Sequence, residues 1–113
     1  MHIDEQRSGT ISTLSLKGDF WKTTGWELYE HVKRVIEDGI VNVVVDFSRI
    51  NRINSQGIGV LVSCLKTLRD ANGNMKLACA SNDIKKAFGI VNLFTFLEVF
   101  DTVDEAIKSF QPG

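Results

Sequence analysis

The chain opens in a two-residue rhythm: Ile3 sits among polar neighbours up to Arg7, and Leu14 and Leu16 alternate with polar residues after Thr10. Broken by Ser8-Gly9, this pattern predicts two strands, about 3–7 and 10–16, joined as a hairpin by a tight turn. Lys17-Gly18-Asp19 reads as the end of the second strand. The period then lengthens, with Leu28, Val32, Val35 and Ile36 forming one helical stripe. Thr24 and Glu27 have the spacing of a capping box that starts this helix, which is expected to reach Asp38, with Gly39 as its stop.

Val41 to Phe47 is almost continuously apolar and β-branched, as a strand covered on both faces requires. A loop is expected over 48–54. A helix then runs from about Ser55 to Ala71 on Ile58, Leu61, Val62, Leu65 and Leu68, ending near Asn72-Gly73. Met75, Leu77 and Cys79 alternate in a further strand, and Ser81 can cap a short helix carrying Ile84, Ala87, Phe88 and Val91. The apolar run 94–100 reads as a last strand. Thr102 and Glu105 begin a final helix with Val103, Ala106, Ile107 and Phe110, and 111–113 reads as a frayed tail.

Alternation of strands with helices places the chain in the α/β class. A mainly parallel five-stranded sheet is expected, with an antiparallel N-terminal edge strand and about four helices. At 113 residues it is expected to form one domain over 1–113, with no repeat, linker or low-complexity tract.

Composition narrows the function. Thirteen basic and 14 acidic side chains are mixed along the chain, so no footprint for direct nucleic-acid binding stands out. No apolar run is long enough for membrane insertion, and 1–9 is polar where a signal peptide would be apolar. Cys64 and Cys79 have no His or second Cys at metal-ligand spacing, so buried reduced thiols and a cytoplasmic location are expected, with no metal or cofactor. His2 and His31 read as solvated or packed. No nucleophile, base and acid arrangement stands out, and a non-enzymatic protein is expected.

The chemistry concentrates where the central strand passes into the second helix. Gly57 and Gly59 fall in its first turn, although glycine costs roughly 1 kcal/mol relative to alanine in a helix interior. Either the missing side chains allow close packing on a strand, or bare backbone N–H groups face a partner. Ser55 can cap the helix; it can also accept a phosphoryl group at the positive end of the helix dipole, with Arg49 and Arg52 close in sequence.

Val43-Val44-Val45-Asp46-Phe47-Ser48 followed by Ile53-Asn54-Ser55-Gln56-Gly57-Ile58-Gly59-Val60-Leu61 resembles the signature of the STAS family, the sulfate transporter and anti-sigma-factor antagonist domains. Leu16-Lys17-Gly18-Asp19, Gly73-Asn74-Met75-Lys76-Leu77 and Phe88-Gly89-Ile90-Val91-Asn92-Leu93-Phe94 resemble it in order and spacing as well. The resemblance implies a protein-binding module. In the antagonists of this family, the unphosphorylated domain binds an anti-sigma factor that is also a serine kinase, phosphorylation ends the binding, and a phosphatase resets it. Carried over, the partner-binding residues are Arg52, Asn54, Ser55, Gln56, Gly57 and Gly59, with the exposed flank of the helix marked by Ser63, Lys66 and Asp70.

Three positions depart from the pattern. Gln56 stands where the usual phosphoacceptor serine would be, Asn54 replaces an aspartate, and Trp21 stands where an acidic residue is expected. Two readings follow: Ser55 has become the acceptor, or the protein is never phosphorylated and Gln56 offers its amide to a constitutive partner. The capping role of Ser55 favours the second. Other readings are a cytoplasmic STAS accessory subunit of a lipid or anion transporter, and a nucleotide-binding α/β protein. Against the latter, there is neither a third glycine for a dinucleotide fingerprint nor a Gly-Lys-Ser/Thr. A phosphate-accepting receiver built on Asp46 lacks the acidic pair and the lysine it would need.

Overall fold

A computed structural model describes residues 2–110, so the expectation for 111–113 lies outside the described residues. The elements are β1 (His2–Ser8), β2 (Ile11–Phe20), α1 (Lys22–Glu37), β3 (Asn42–Ile53), α2 (Ser55–Asp70), β4 (Asn74–Ala78), α3 (Asn82–Ile90), a 3-10 turn (Leu93–Thr95), β5 (Val99–Phe100) and α4 (Val103–Ser109). They build one five-stranded sheet in sequence order, β1 antiparallel to β2 and the other pairs parallel. This is the expected α/β architecture.

Side-chain alternation sorts the sheet into two faces of unequal depth. Leu14, Leu16, Val43, Val45, Met75 and Leu77 join the main core with the inner stripes of α1, α2 and α3. Val44 and Ala78 point the other way, together with Ile11, and are covered by α4 through Ala106 and a border of half-buried apolar residues. Lys76 also lies on that side, 6% exposed. Its ammonium donates to the Ser109 carbonyl (3.1 Å) and hydroxyl (2.8 Å), and lies 4.3 Å from the Phe110 ring centroid. A cation at the last turn of α4 meets the negative end of the helix dipole as well as an aromatic face, which offsets the cost of burying it.

Several boundaries differ from the sequence expectation for physical reasons. β2 does not end at Lys17-Gly18-Asp19; it bulges there, with Gly18 at φ +122°, and continues to Phe20. β3 replaces the expected loop over 48–54, because Arg49, Arg52 and Ile53 continue to pair with Lys17, Asp19 and Phe20. α1 starts at Lys22, so Thr24 is its third residue rather than its cap, and the Thr24 hydroxyl oxygen accepts from the Trp21 N–H (2.6 Å). Ile36 is half-buried rather than buried, and Val91 is exposed. The expected strand 94–100 shrinks to Val99–Phe100. Leu93 and Leu97 are both buried, and the Leu97 N–H donates to the Leu93 carbonyl, so the spacing of that stretch is helical and Phe94 and Phe96 turn outward. Cys79 lies just beyond β4, half-buried with φ +63°.

The edge strand β1 is tied down by charge. Glu5 accepts hydrogen bonds from the Arg7 guanidinium and the Ser12 hydroxyl (2.8 Å), and its other oxygen lies 2.9 Å from His31 Nε2 on α1. Burial pushes this carboxyl upward, but the contacts with Arg7, His31 and Ser12 outweigh it and bring the pKa from 4.5 down to about 2. Because the folded pKa lies below the unfolded one, the stabilisation is complete above pH 4.5 and is lost as the pH falls toward 2. Glu5→Gln is therefore expected to lower stability at pH 7 and to flatten the decline between pH 4.5 and 2, read from urea unfolding at a series of pH values.

Candidate functional site

β3 hands the chain directly to α2. Only Asn54 separates Ile53 from Ser55, and this short passage fixes the site. Asn54 is the N-cap: its side-chain oxygen accepts from the Gly57 N–H at 2.8 Å. The expectation that Ser55 caps the helix is therefore corrected by one residue. Ser55 is the first helical residue and is exposed, as is Gln56, and among the described residues neither side chain hydrogen-bonds to the rest of the protein.

The two glycines divide the alternatives between them. Gly57 is buried against the end of β2, where an added Cβ would come within 2.3 Å of the Phe20 carbonyl oxygen. Any side chain there would push the helix off the strand. Gly59 is exposed, and a Cβ would meet nothing within 4 Å. Packing accounts for Gly57; packing gives no account of Gly59.

The arginines do not converge. Arg49 borders an open cleft of about 780 Å³ with Lys17, Asp19, Trp21 and Thr24, whereas Arg52 borders a separate one with Trp21, Asn51, Asp83 and Ala87. Both are exposed. Trp21, 37% exposed, is the wall common to both clefts; the sequence singled it out as one of the three departures from the family pattern. Of the polar flank of α2, Lys66 and Asp70 are exposed, while Ser63 is half-buried and its hydroxyl donates to the Gly59 carbonyl (3.3 Å).

The remaining candidates do other work. Asp46 lies within β3 rather than at its end, accepting from the Ser48 N–H (2.9 Å) and the Ser15 hydroxyl (3.3 Å). Burial pushes the Cys64 thiol up to about 12, and burial together with the Asp46 carboxylate pushes the Cys79 thiol up, so neither is an activated nucleophile. The one-residue passage from β3 to α2 leaves no loop to wrap a phosphate chain, which removes the structural basis of the nucleotide-binding reading. Among the described residues no helix is long and apolar enough to cross a membrane, and no group of three or more His, Cys, Asp or Glu side chains could hold a metal ion.

Comparison with known proteins agrees with this geometry. The family described as "STAS domain" matches residues 2–106. A candidate anti-sigma factor antagonist of Thermotoga neapolitana is 25% identical over 76 residues, 67% of this chain and 67% of that protein. A crystal structure of a candidate anti-sigma factor antagonist from Thermotoga maritima superposes with a TM-score of 0.86 at 18% identity, covering 95% of this chain and 92% of that one. The Bacillus cell fate determinant SpoIIAA in its phosphorylated form superposes with a TM-score of 0.73 at 18% identity, covering 97% and 100%. At these identities the superpositions establish a common fold.

The two glycines give a stability test. Gly57→Ala is expected to destabilise by about 1–3 kcal/mol through overpacking against Phe20. Asn54→Ala should cost about 1 kcal/mol through the lost cap. Gly59→Ala should be neutral or stabilise by up to about 1 kcal/mol, through helix propensity alone. Urea denaturation of the three variants separates these outcomes.

Proposed function

Because the chain belongs to the STAS domain family, we propose that it works as an anti-sigma-factor antagonist, docking the start of α2 onto an anti-sigma factor that is also a serine kinase. The observation that carries this reading is the exposed helix start. Ser55 and Gln56 leave their polar groups uncommitted, and Gly59 leaves bare backbone open to a partner. Arg52 and Asn54 border this face, and Gly57 holds it in place. Such a face binds and carries no catalytic group of its own. The proposed partner, an anti-sigma factor, works in the cytoplasm, and the proposed role places the protein there as well.

We propose further that Ser55 is the phosphoacceptor. Its capping role was the reason to regard it as unmodified, and Asn54 performs that role. A phosphate on the first helical residue would meet the positive end of the α2 dipole, which favours the phosphorylated state of the free protein. The same group would have to lose its water within a close interface, which opposes docking. A phosphatase would then restore binding. Gln56, one residue on, offers its amide as a hydrogen-bonding group of the unphosphorylated face.

Affinity capture from the native cells tests the partner: an anti-sigma ATPase supports this reading, while a transporter ATPase would assign the chain to a transporter complex as an accessory subunit. With the captured kinase and ATP, the wild-type protein is expected to gain one phosphate and Ser55→Ala none. Ser55→Asp should weaken binding at least tenfold in titration calorimetry, about 1.4 kcal/mol. Full labelling of Ser55→Ala would sink the proposed acceptor.

A further inference from the structure

Most of the large apolar side chains exposed on the described residues gather at one corner. Val62 comes from α2, Ile90 and Val91 from the end of α3, and Phe94 and Phe96 from the 3-10 turn beside it. Ile90 is 85% exposed, Phe96 55% and Phe94 49%. The corner is held firmly: Phe94 packs edge-on against the buried Phe88 at 6.2 Å between centroids, and the Arg69 guanidinium donates to the Phe96 carbonyl at 2.8 Å. Between Phe96 and α2 lies a shallow groove of about 300 Å³, lined by Val62, Leu65, Lys66, Arg69 and Asp70. An apolar patch of this kind, left open to water, marks a contact surface.

Two observations say what covers it. The first is continuity, since Ser55, Gly59, Val62, Lys66 and Arg69 are all exposed and recur at helical spacing along α2. One stripe therefore runs about 20 Å from the helix start to the corner. The second is charge. Lys66 and Arg69 line the groove beside Asp70, and Lys86 is exposed one turn before Ile90 on α3, so of these four charges bordering the corner three are basic. A second copy meeting it across a twofold axis would set Lys66, Arg69 and Lys86 against their own likes.

We propose that the corner is a second contact region for the partner that docks at the start of α2, and that it receives an amphipathic helix whose apolar stripe is flanked by aspartate and glutamate. This rests on the binding function proposed above. Ile90 and Phe96 supply the apolar anchors, and Lys66 and Arg69 pair with the acidic rim.

Ile90→Glu and Phe96→Glu test it, since both side chains already face water and circular dichroism and urea unfolding should match the wild type. Titrated with the serine-kinase-type anti-sigma factor captured from the native cells, each is expected to raise Kd at least tenfold. Lys66→Glu should raise it about threefold or more and make binding less sensitive to salt. If both glutamate variants bind as the wild type does, while Gln56→Lys weakens binding, the corner is not part of the interface and this inference fails alone. If the wild-type protein binds no such kinase, the proposed function fails and this inference with it. Dimerisation in ultracentrifugation, or co-sedimentation with phosphatidylglycerol vesicles, lost in Ile90→Glu with kinase binding unchanged, would assign the corner to a second copy or to lipid and overturn the proposal.

Discussion

The close approach of Gly57 to the Phe20 carbonyl governs the site. Parallel strands β2 and β3 end side by side, and α2 must rise from the end of β3 while lying against the end of β2. A side chain at residue 57 would occupy the space of a backbone atom, which cannot rotate away as a side chain can. With that contact made, Asn54 is placed to accept the Gly57 N–H, and the next two residues have nowhere to turn but outward. The exposure of Ser55 and Gln56 is thus a consequence of packing one turn deeper. The same logic recurs along the helix pair: a Cβ at Gly25 would lie 2.9 Å from that of Val60, so α1 and α2 also meet through a missing side chain.

Much of the fold was legible because its signals repeat. The two-residue rhythm of Leu14 and Leu16, the β-branched run at 43–45, and the helical stripes of α1 and α2 each contain several residues that agree, and they predicted a mixed sheet with helices between its strands. Ser81 and Thr102 cap α3 and α4 as expected, accepting from the N–H groups of Ile84 and Glu105. What escaped depended on single residues. Whether Asn54 or Ser55 caps α2 is a shift of one position between two good capping residues, and only the contact with Phe20 decides it. Lys17-Gly18-Asp19 has the composition of a strand end, yet Gly18 supplies the positive φ that lets β2 bulge and continue. Phe94 to Phe100 is apolar without a period that distinguishes strand from helix, and the decision falls to which residues are inward, Leu93 and Leu97.

The site was legible to the same unequal degree. The motif around Gly57 and Gly59 drew attention to the start of α2, but the sequence treated its two glycines alike, whereas one is a packing constraint and the other is open surface. Arg49 and Arg52 are close to Ser55 in sequence but border different clefts, because side chains along β3 follow the strand's own twist and pairing rather than the nearest helix start. Trp21 stood out in the sequence as a departure from the STAS pattern, without an indication of which elements it would lie between. Its placement follows from β2 continuing to Phe20, which leaves the next residue at the mouth between β2, β3 and α1, where the family's acidic residue would otherwise stand.

The loss of acidic residues at Asn54 and Trp21 bears on how a phosphate at Ser55 would act. A carboxylate beside the acceptor would repel the phosphate and work against the attraction of the helix dipole. With an amide and an indole in those places, that repulsion is removed, and the exposed backbone of the first turn is free to stabilise the dianion. Such a site would hold its phosphate comfortably in the free protein, so the energetic penalty of modification would fall almost wholly on the complex, where the dianion must be desolvated. If the partner also grips the apolar corner some 20 Å away along α2, that penalty must outweigh contacts which the phosphate does not touch. A switch of this construction works only if the helix start is buried tightly in the complex. A helix start whose position is fixed by backbone packing at Gly57, rather than by a flexible loop, would meet that requirement.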